Sequence, residues 1–282
     1  MRTSLTVLLL LIPVQALAWG AKPHQIIADI AQRQLAATCP GALTPTLAAL
    51  DVDHLSDVAA APDAWPENVG TARIGLWHFV NIPYDSQKYE PVRDCPANIC
   101  TIGGINFALE IMNRGEPKAE LPMQREALML LIHLTGDLYE PLHCITSKVD
   151  AQSIRVTVNG THVPGNRSGS GDNDNLHFVW DVSLVEWRHL AENDYVDYLF
   201  RRVAKGELDL GSRIPITTAA EYSHTYALDG VKNVVDHMDL KSDYMNSSAD
   251  VVDQQLVYAG TELAELLKLA WVSKLDLRNC KP

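Results

Sequence analysis

The chain has 282 residues, of which 47% are hydrophobic and 21% are charged, a balance typical of one globular domain with a large buried core. Its formal net charge of −12 excludes a nucleic-acid interface that depends on a basic protein surface. If the substrate is a nucleic acid, the positive charge that attracts it must come from bound metal ions.

The first eighteen residues have the pattern of a secretory signal peptide. An apolar run from Leu5 to Val14 follows a single Arg2, and Ala16-Leu-Ala18 is a small-x-small cleavage site. We expect cleavage after Ala18 and a secreted or periplasmic domain over residues 19–282, with an uncleaved anchor as the alternative. Later stretches lack the roughly 20 apolar residues of a transmembrane helix, so we expect no membrane insertion.

Apolar residues recur at helical spacing along most of the chain. This periodicity predicts helices over residues 23–37, 43–55, 102–113, 122–139, 186–204, 217–238 and 249–274. Alternating apolar residues over 153–158, followed by Asn159-Gly160, predict a small β-hairpin. The expected fold class is therefore mainly α, a single domain with that hairpin added.

Five cysteines in an exported chain indicate disulfide bonds with one thiol left over. Cys95 and Cys100 are close enough in sequence to close a short loop, and Cys39 and Cys280 are the candidates for tying the termini together. Cys144 would then be unpaired. We interpret it as a small buried side chain, with a soft metal ligand as the alternative.

The stretch His133-Leu-Thr-Gly-Asp137-Leu-Tyr-Glu-Pro141-Leu-His143 has the side chains of a metal site. On a helix, His133 and Asp137 lie on one face, one turn apart. Pro141 cannot continue that helix, so His143 should leave it at a different angle. Imidazole and carboxylate are the usual ligands of zinc, although a single His-x-x-x-Asp pair is more often only a hydrogen-bonded pair.

Three motifs stand in order along the chain. They are Trp19-Gly-Ala-Lys-Pro-His24, the His-x-x-Gly-Asp-x-x-x-Pro-Leu-His segment of residues 133–143, and Asn175-Leu-His-Phe-Val-Trp-Asp181. Together with Trp77-His-Phe79 and the Cys95/Cys100 pair, they resemble the zinc-dependent single-strand-specific nucleases, also called class I nucleases or 3′-nucleotidases. The resemblance runs from the first of these motifs to the last.

The resemblance implies three zinc ions in a helical fold of the zinc-dependent phospholipase C/nuclease type. The implied ligands are Trp19, through its α-amino group and carbonyl oxygen, with His24; Asp63, His78 and His133, with Asp137 bridging these two ions; and His143, His177 and Asp181. Asp63 and Asp137 are the implied catalytic carboxylates. Phe79 is the implied base-stacking residue, for which a core aromatic is the alternative.

The sequence departs from the family pattern near Trp65. We choose Asp63 as the ligand because fifteen residues to His78 suit the family spacing, while Glu67 holds the motif's position relative to the tryptophan. The arginine that often follows this carboxylate and contacts phosphate is absent, and Arg73 is the candidate substitute. These departures affect phosphate positioning and base preference.

The resemblance implies a monomeric endonuclease that hydrolyses single-stranded DNA and RNA, and 3′-nucleotides, to 5′-phosphate products through a zinc-activated hydroxide. The nearest alternative is a zinc-dependent phospholipase C, which shares the trinuclear site and the helical fold. A secreted zinc-binding protein that kept the ligands but not the catalysis is the alternative from a different class.

Overall fold

The computed structural model describes residues 19–65, 74–114, 121–146, 151, 153–161, 175–277 and 280. The predicted signal peptide, Glu67 and Arg73 lie outside these ranges. Within them the chain forms ten α-helical segments: α1 (Ala21–Thr38), α2 (Pro40–Leu50), α3 (Pro91–Asp94), α4 (Thr101–Asn113), α5 (Leu121–Tyr139), α6 (Leu176–Phe178), α7 (Leu184–Glu186), α8 (Glu192–Ala204), α9 (Ile216–Val231) and α10 (Ser242–Trp271). The predicted mainly α fold class is confirmed.

Helix α5 lies in the middle of the core. It packs against α4 and α10, and α10 also packs against α1. From Ala127 to Tyr139 every residue of α5 is buried, polar residues included. Apolar contacts surround the helix, so its polar side chains are removed from water and need partners inside the protein.

The helix boundaries follow local backbone features that periodicity does not reveal. Helix α2 begins at Pro40, a favoured first position for proline, and ends at Leu50 because Asp51 has a left-handed φ of 55°. The predicted helix over 186–204 is helical only from Glu192, as α8, because α7 ends at Glu186 and His189 after it has a positive φ of 53°. The prediction of one continuous helix was wrong there.

The predicted β-hairpin is confirmed at its turn, and the strand that would return beyond Thr161 lies outside the described residues. Asn159 and Gly160 both have positive φ, and Val158 and Thr161 on either side exchange two backbone hydrogen bonds of 3.0 Å. Strand β1 (Val156–Val158) also pairs in parallel with β2 (Met238–Leu240), whose first residue is the last one of the predicted helix over 217–238. Helix α9 accordingly ends at Val231, seven residues before the predicted end.

Two disulfide bonds join Cys39 to Cys280 and Cys95 to Cys100, as predicted. Cys144 is buried, and its thiol donates a hydrogen bond to the carbonyl oxygen of Leu138 at 3.3 Å. Disulfides persist in oxidising compartments, so the pairing fits an extracytoplasmic protein. Among the helices of the described ranges, none combines the length and apolar character needed to cross a membrane.

Glu262 on α10 gives the fold a pH-dependent stability. One of its carboxyl oxygens accepts the backbone N–H of Ile214 at 3.2 Å, and burial raises the pKa of Glu262 to about 7. A carboxyl whose pKa is raised in the folded state binds more protons there than in the unfolded chain, so stability falls as pH rises from about 4.5 to about 7.

We therefore expect Glu262→Gln to remove part of this pH dependence, because glutamine keeps the acceptor and carries no charge. Between pH 5 and pH 8 the unfolding free energy of wild type should fall by ~1–3 kcal/mol more than that of the variant, measured by urea denaturation. An identical pH dependence in both proteins would contradict this prediction.

Candidate metal centre

Helix α5 carries the first pair of side chains. His133 and Asp137 lie one turn apart, with His133 Nε2 at 3.3 Å from Asp137 Oδ2, and both are fully buried. The Nδ1–H of His133 donates to the carbonyl oxygen of Ala59 at 2.9 Å. This bond fixes the tautomer and leaves the Nε2 lone pair available for a metal ion.

His24 reaches α5 from α1. Its ring stacks on that of His133 with centroids 4.0 Å apart, and its Nε2 lies 3.6 Å from Asp137 Oδ1. A Cβ atom at Gly136 would lie 2.5 Å from Nδ1 of His24. The glycine between the two α5 ligand candidates is therefore required by the close approach of α1.

Two 3-10 turns bring a second group to His133. Asp63 lies on the turn Ala61–Ala64, and His78 ends the turn Ile74–His78. The Nε2 atoms of His78 and His133 are 3.1 Å apart, and Asp63 Oδ1 lies 3.6 and 3.3 Å from them respectively. Atoms that ligate one zinc ion at about 2.0–2.2 Å lie at about this separation from one another.

The third group assembles beyond the end of α5. That helix ends at Tyr139, and the 3-10 turn Pro141–Cys144 presents His143, as the proline predicts. His177 Nε2 lies 3.2 Å from Asp181 Oδ2, and His143 Nε2 lies 3.6 Å from Asp181 Oδ1. Nδ1 of His143 is 3.3 Å from Asp137 Oδ1, so the third group adjoins the first.

A π-helical turn, Val179–Ser183, places Asp181 in the third group and also meets the start of the predicted mature chain. Gly20 N donates to the Asp181 carbonyl oxygen at 3.2 Å, and the buried indole of Trp19 donates to the Trp180 carbonyl oxygen at 3.3 Å. The backbone of Trp19 therefore lies beside the segment that carries the third group.

Phe79 borders the same group. Its half-buried ring lies 4.7 Å from the ring of His143 and 6.1 Å from that of His177, measured between centroids. The next residue, Val80, donates its N–H to the carbonyl oxygen of His143 at 2.8 Å. Phe79 is thus held at the edge of the metal centre and not in the apolar core.

The pKa shifts within the cluster indicate that its carboxylates are stabilised by nearby positive charge. Burial lowers the pKa of His133, but the carboxylates of Asp137 and Asp63 more than offset this and raise it to about 9. Burial lowers the pKa of His24 to about 3. Burial opposes ionisation of Asp137, yet His133 and His143 hold its pKa well below its usual value. A cation shared by these side chains would satisfy them all.

The residues present fit metal ions. Eight buried polar atoms of the cluster have no hydrogen-bond partner in the described part of the chain: both ring nitrogens of His24 and of His143, both oxygens of Asp137, Nε2 of His177 and Oδ1 of Asp181. Buried polar atoms without partners are rare in native proteins. Metal coordination accounts for at least one such atom on each of these five side chains, because all five belong to the three groups of potential ligands.

Eight predicted ligands lie in the three groups: His24, Asp63, His78, His133, Asp137, His143, His177 and Asp181. Their assignment as ligands stays a prediction, and Arg73 and the competing Glu67 fall outside the described residues. Sequence reasoning missed Glu140, a fully buried carboxylate beside His143. Glu140 occupies one of the unspecified positions of the motif. Only its position directly before Pro141 could have indicated that its side chain caps the 3-10 turn Pro141–Cys144.

Known proteins are similar to the chain over nearly all of its length. The family described as S1/P1 Nuclease matches residues 19–271. Nuclease S1 of Aspergillus oryzae is 25% identical over 279 residues, which cover 89% of this chain and 91% of its own. Endonuclease 3 of Arabidopsis thaliana is 26% identical over 287 residues, with coverages of 93% and 92%. Nuclease P1 of Penicillium citrinum is 24% identical over 285 residues, with coverages of 91% and 97%.

The contact between Gly136 and His24 can be tested directly. We expect Gly136→Ala to displace His24 from the first group, because the added methyl overlaps its ring, and to reduce bound zinc by about one ion per chain. Metal analysis after dialysis measures this loss. Gly41→Ala on α2 is the matched control, since its Cβ meets nothing within 4 Å. Full metal content in Gly136→Ala would show that His24 has room to move.

Proposed function

As a member of the S1/P1 nuclease family, this chain is a zinc-dependent nuclease, and we propose that it is a secreted endonuclease acting on single-stranded DNA and RNA. We further propose that it removes phosphate from 3′-nucleotides, and that its phosphodiester products carry 5′-phosphates. The observation that supports this most directly is the set of three adjoining groups of buried histidines and aspartates.

Three zinc ions are proposed, one for each group. Asp137 is suited to bridge two of them because its two oxygens face different rings: Oδ2 faces His133, while Oδ1 faces His24. His143 contributes to the third ion through Nε2, which faces Asp181. The α-amino group and carbonyl oxygen of Trp19 complete the ligand set that includes His24.

Bound zinc ions would supply Lewis-acid activation of water and neutralisation of phosphate charge. The side chains of the centre would orient the reactants. Asp63 has 15% of its side chain exposed, unlike the fully enclosed Asp137, so it is the carboxylate placed to accept a hydrogen bond from the attacking water. Phe79, beside the rings of His143 and His177, would stack on a base of the substrate.

The acidity of the chain agrees with this mechanism. After loss of Arg2 the mature chain would carry 22 basic and 35 acidic side chains, a formal charge of −13. Such a surface repels a phosphate backbone at long range. Three dications in one cleft would make the local electrostatic potential positive. Binding of nucleic acid should therefore depend on the metal content and not on basic side chains.

A substrate panel tests the proposed activity. We expect the zinc-loaded mature protein to cleave single-stranded DNA and RNA, detected by gel electrophoresis, and to leave phosphatidylcholine intact. Asp137→Asn should lower the rate at least ~10³-fold, because the amide cannot bridge two ions as a carboxylate does. Cleavage of phosphatidylcholine alone would identify a phospholipase C, and three bound zinc ions without turnover would identify a non-catalytic zinc-binding protein.

The proposed role of Trp19 makes activity depend on removal of the signal peptide. One extra residue ahead of Trp19 converts the α-amino group into an amide, which is a far weaker ligand. We expect that variant to bind one zinc ion fewer and to lose nearly all activity, measured by metal analysis and hydrolysis of a 3′-nucleotide. Full activity of the extended protein would exclude the amino group as a ligand.

A further inference from the structure

Glu140 is a buried carboxylate that the proposed metal sets do not use. It follows the last residue of α5, and its side chain is fully enclosed. Oε2 accepts the backbone N–H of His143 at 2.6 Å, which closes the 3-10 turn Pro141–Cys144. The other oxygen, Oε1, has no hydrogen-bond partner among the described residues.

The position of Glu140 next to the third group is unusual for a carboxylate. Oε2 lies 3.8 Å from Nε2 of His143, and Asp181 Oδ1 lies 3.6 Å from the same nitrogen. Asp137 Oδ1 approaches the opposite side of the ring at 3.3 Å. Three buried carboxylates therefore surround one imidazole, which can carry at most one positive charge. Burying that much negative charge requires further cations.

Charge balance indicates what Glu140 adds. Two neutral imidazoles and the Asp181 carboxylate leave a bound dication with a net charge of +1. An ionised Glu140 beside them brings the third group to zero, the total that a low-dielectric interior favours most. A glutamine at the same position would accept the His143 N–H equally well, so the hydrogen bond by itself does not require a charged residue.

We propose that Glu140 is a positioning residue of the third metal-ion site: one oxygen holds the main chain of His143, and the carboxylate charge raises the affinity of the site for a divalent cation. The inference rests on the proposed function, because it requires that His143, His177 and Asp181 bind a metal ion. Residues around a metal site that orient and neutralise its ligands typically change affinity about 10–100-fold when they are substituted.

The test compares Glu140→Gln, which keeps the shape and the acceptor for the His143 N–H, with Glu140→Ala, which removes both. We expect Glu140→Gln to lose one of three zinc ions at about 10–100-fold lower chelator concentration than wild type, measured by metal analysis after dialysis against graded chelator. The zinc-induced rise in the thermal midpoint should also be smaller than in wild type. Glu140→Asp, which keeps the charge, should restore much of the affinity.

Glu262→Gln is the matched control. Glu262 is likewise buried, has one oxygen on a backbone N–H and has its Oε1 without a partner in the described ranges, but it belongs to none of the metal groups. We expect its zinc affinity to equal that of wild type. Wild-type zinc affinity in Glu140→Gln, with reduced affinity only in Glu140→Ala, would overturn the inference. The role of Glu140 would then be limited to its hydrogen bond with the His143 N–H.

Failure of the proposed function has a separate signature. Equal zinc content in wild type and His177→Ala would show that the third group does not bind metal, whatever the Glu140 variants do. Three ions in wild type and an unchanged chelator profile in Glu140→Gln would reject only the role of Glu140. If Glu140→Gln does not fold, the chelator profiles of Glu140→Asp and Glu140→Asn decide, since both keep an acceptor and a charge effect predicts higher affinity in Glu140→Asp alone.

Discussion

The neutralisation of buried carboxylates is the constraint on which the rest of this structure depends. Asp137 lies in the middle of the core with no exposed surface, and it faces the rings of His24, His133 and His143. A bare carboxylate is very costly to bury, and three imidazoles shared with other carboxylates do not balance it. The elements packed around α5 therefore bring their candidate ligands to one place. Bound ions would in turn stabilise this arrangement.

This convergence explains why the site and the fold cannot be separated. The ligand candidates come from α1, α5, α6, three 3-10 turns and a π-helical turn, most of which are remote in sequence and meet only in the core. Close packing makes the meeting possible: Gly136 lets α1 approach α5, and at Gly230 on α9 a Cβ would lie 2.5 Å from the Trp180 ring, next to Asp181. A change of one methyl group at these contacts is therefore transmitted to the ligands.

Local rules of chain geometry made part of the site predictable from sequence. The i, i+4 pair His133 and Asp137 follows from helical periodicity, and the turn that releases His143 follows from Pro141. The partner of β1 could not be predicted in this way, because residues 238–240 lie about eighty positions further along the chain and are too few for their alternation to indicate a strand. The role of Gly136 was equally hidden, since it depends on which helix packs there. Glu140 was missed because its burial, and not its residue type, sets it apart.

Export and metal binding are linked by the same geometry. The Trp19 indole is buried against the segment that carries Asp181, so the start of the proposed mature chain is part of the core. A chain that still carries residues ahead of it could fold but would lack the free amino group. The two disulfides also require an oxidising compartment. If cleavage follows Ala18 and Trp19 binds zinc as proposed, the protein would acquire its last zinc ligand only after export, in the kind of compartment where its disulfides form.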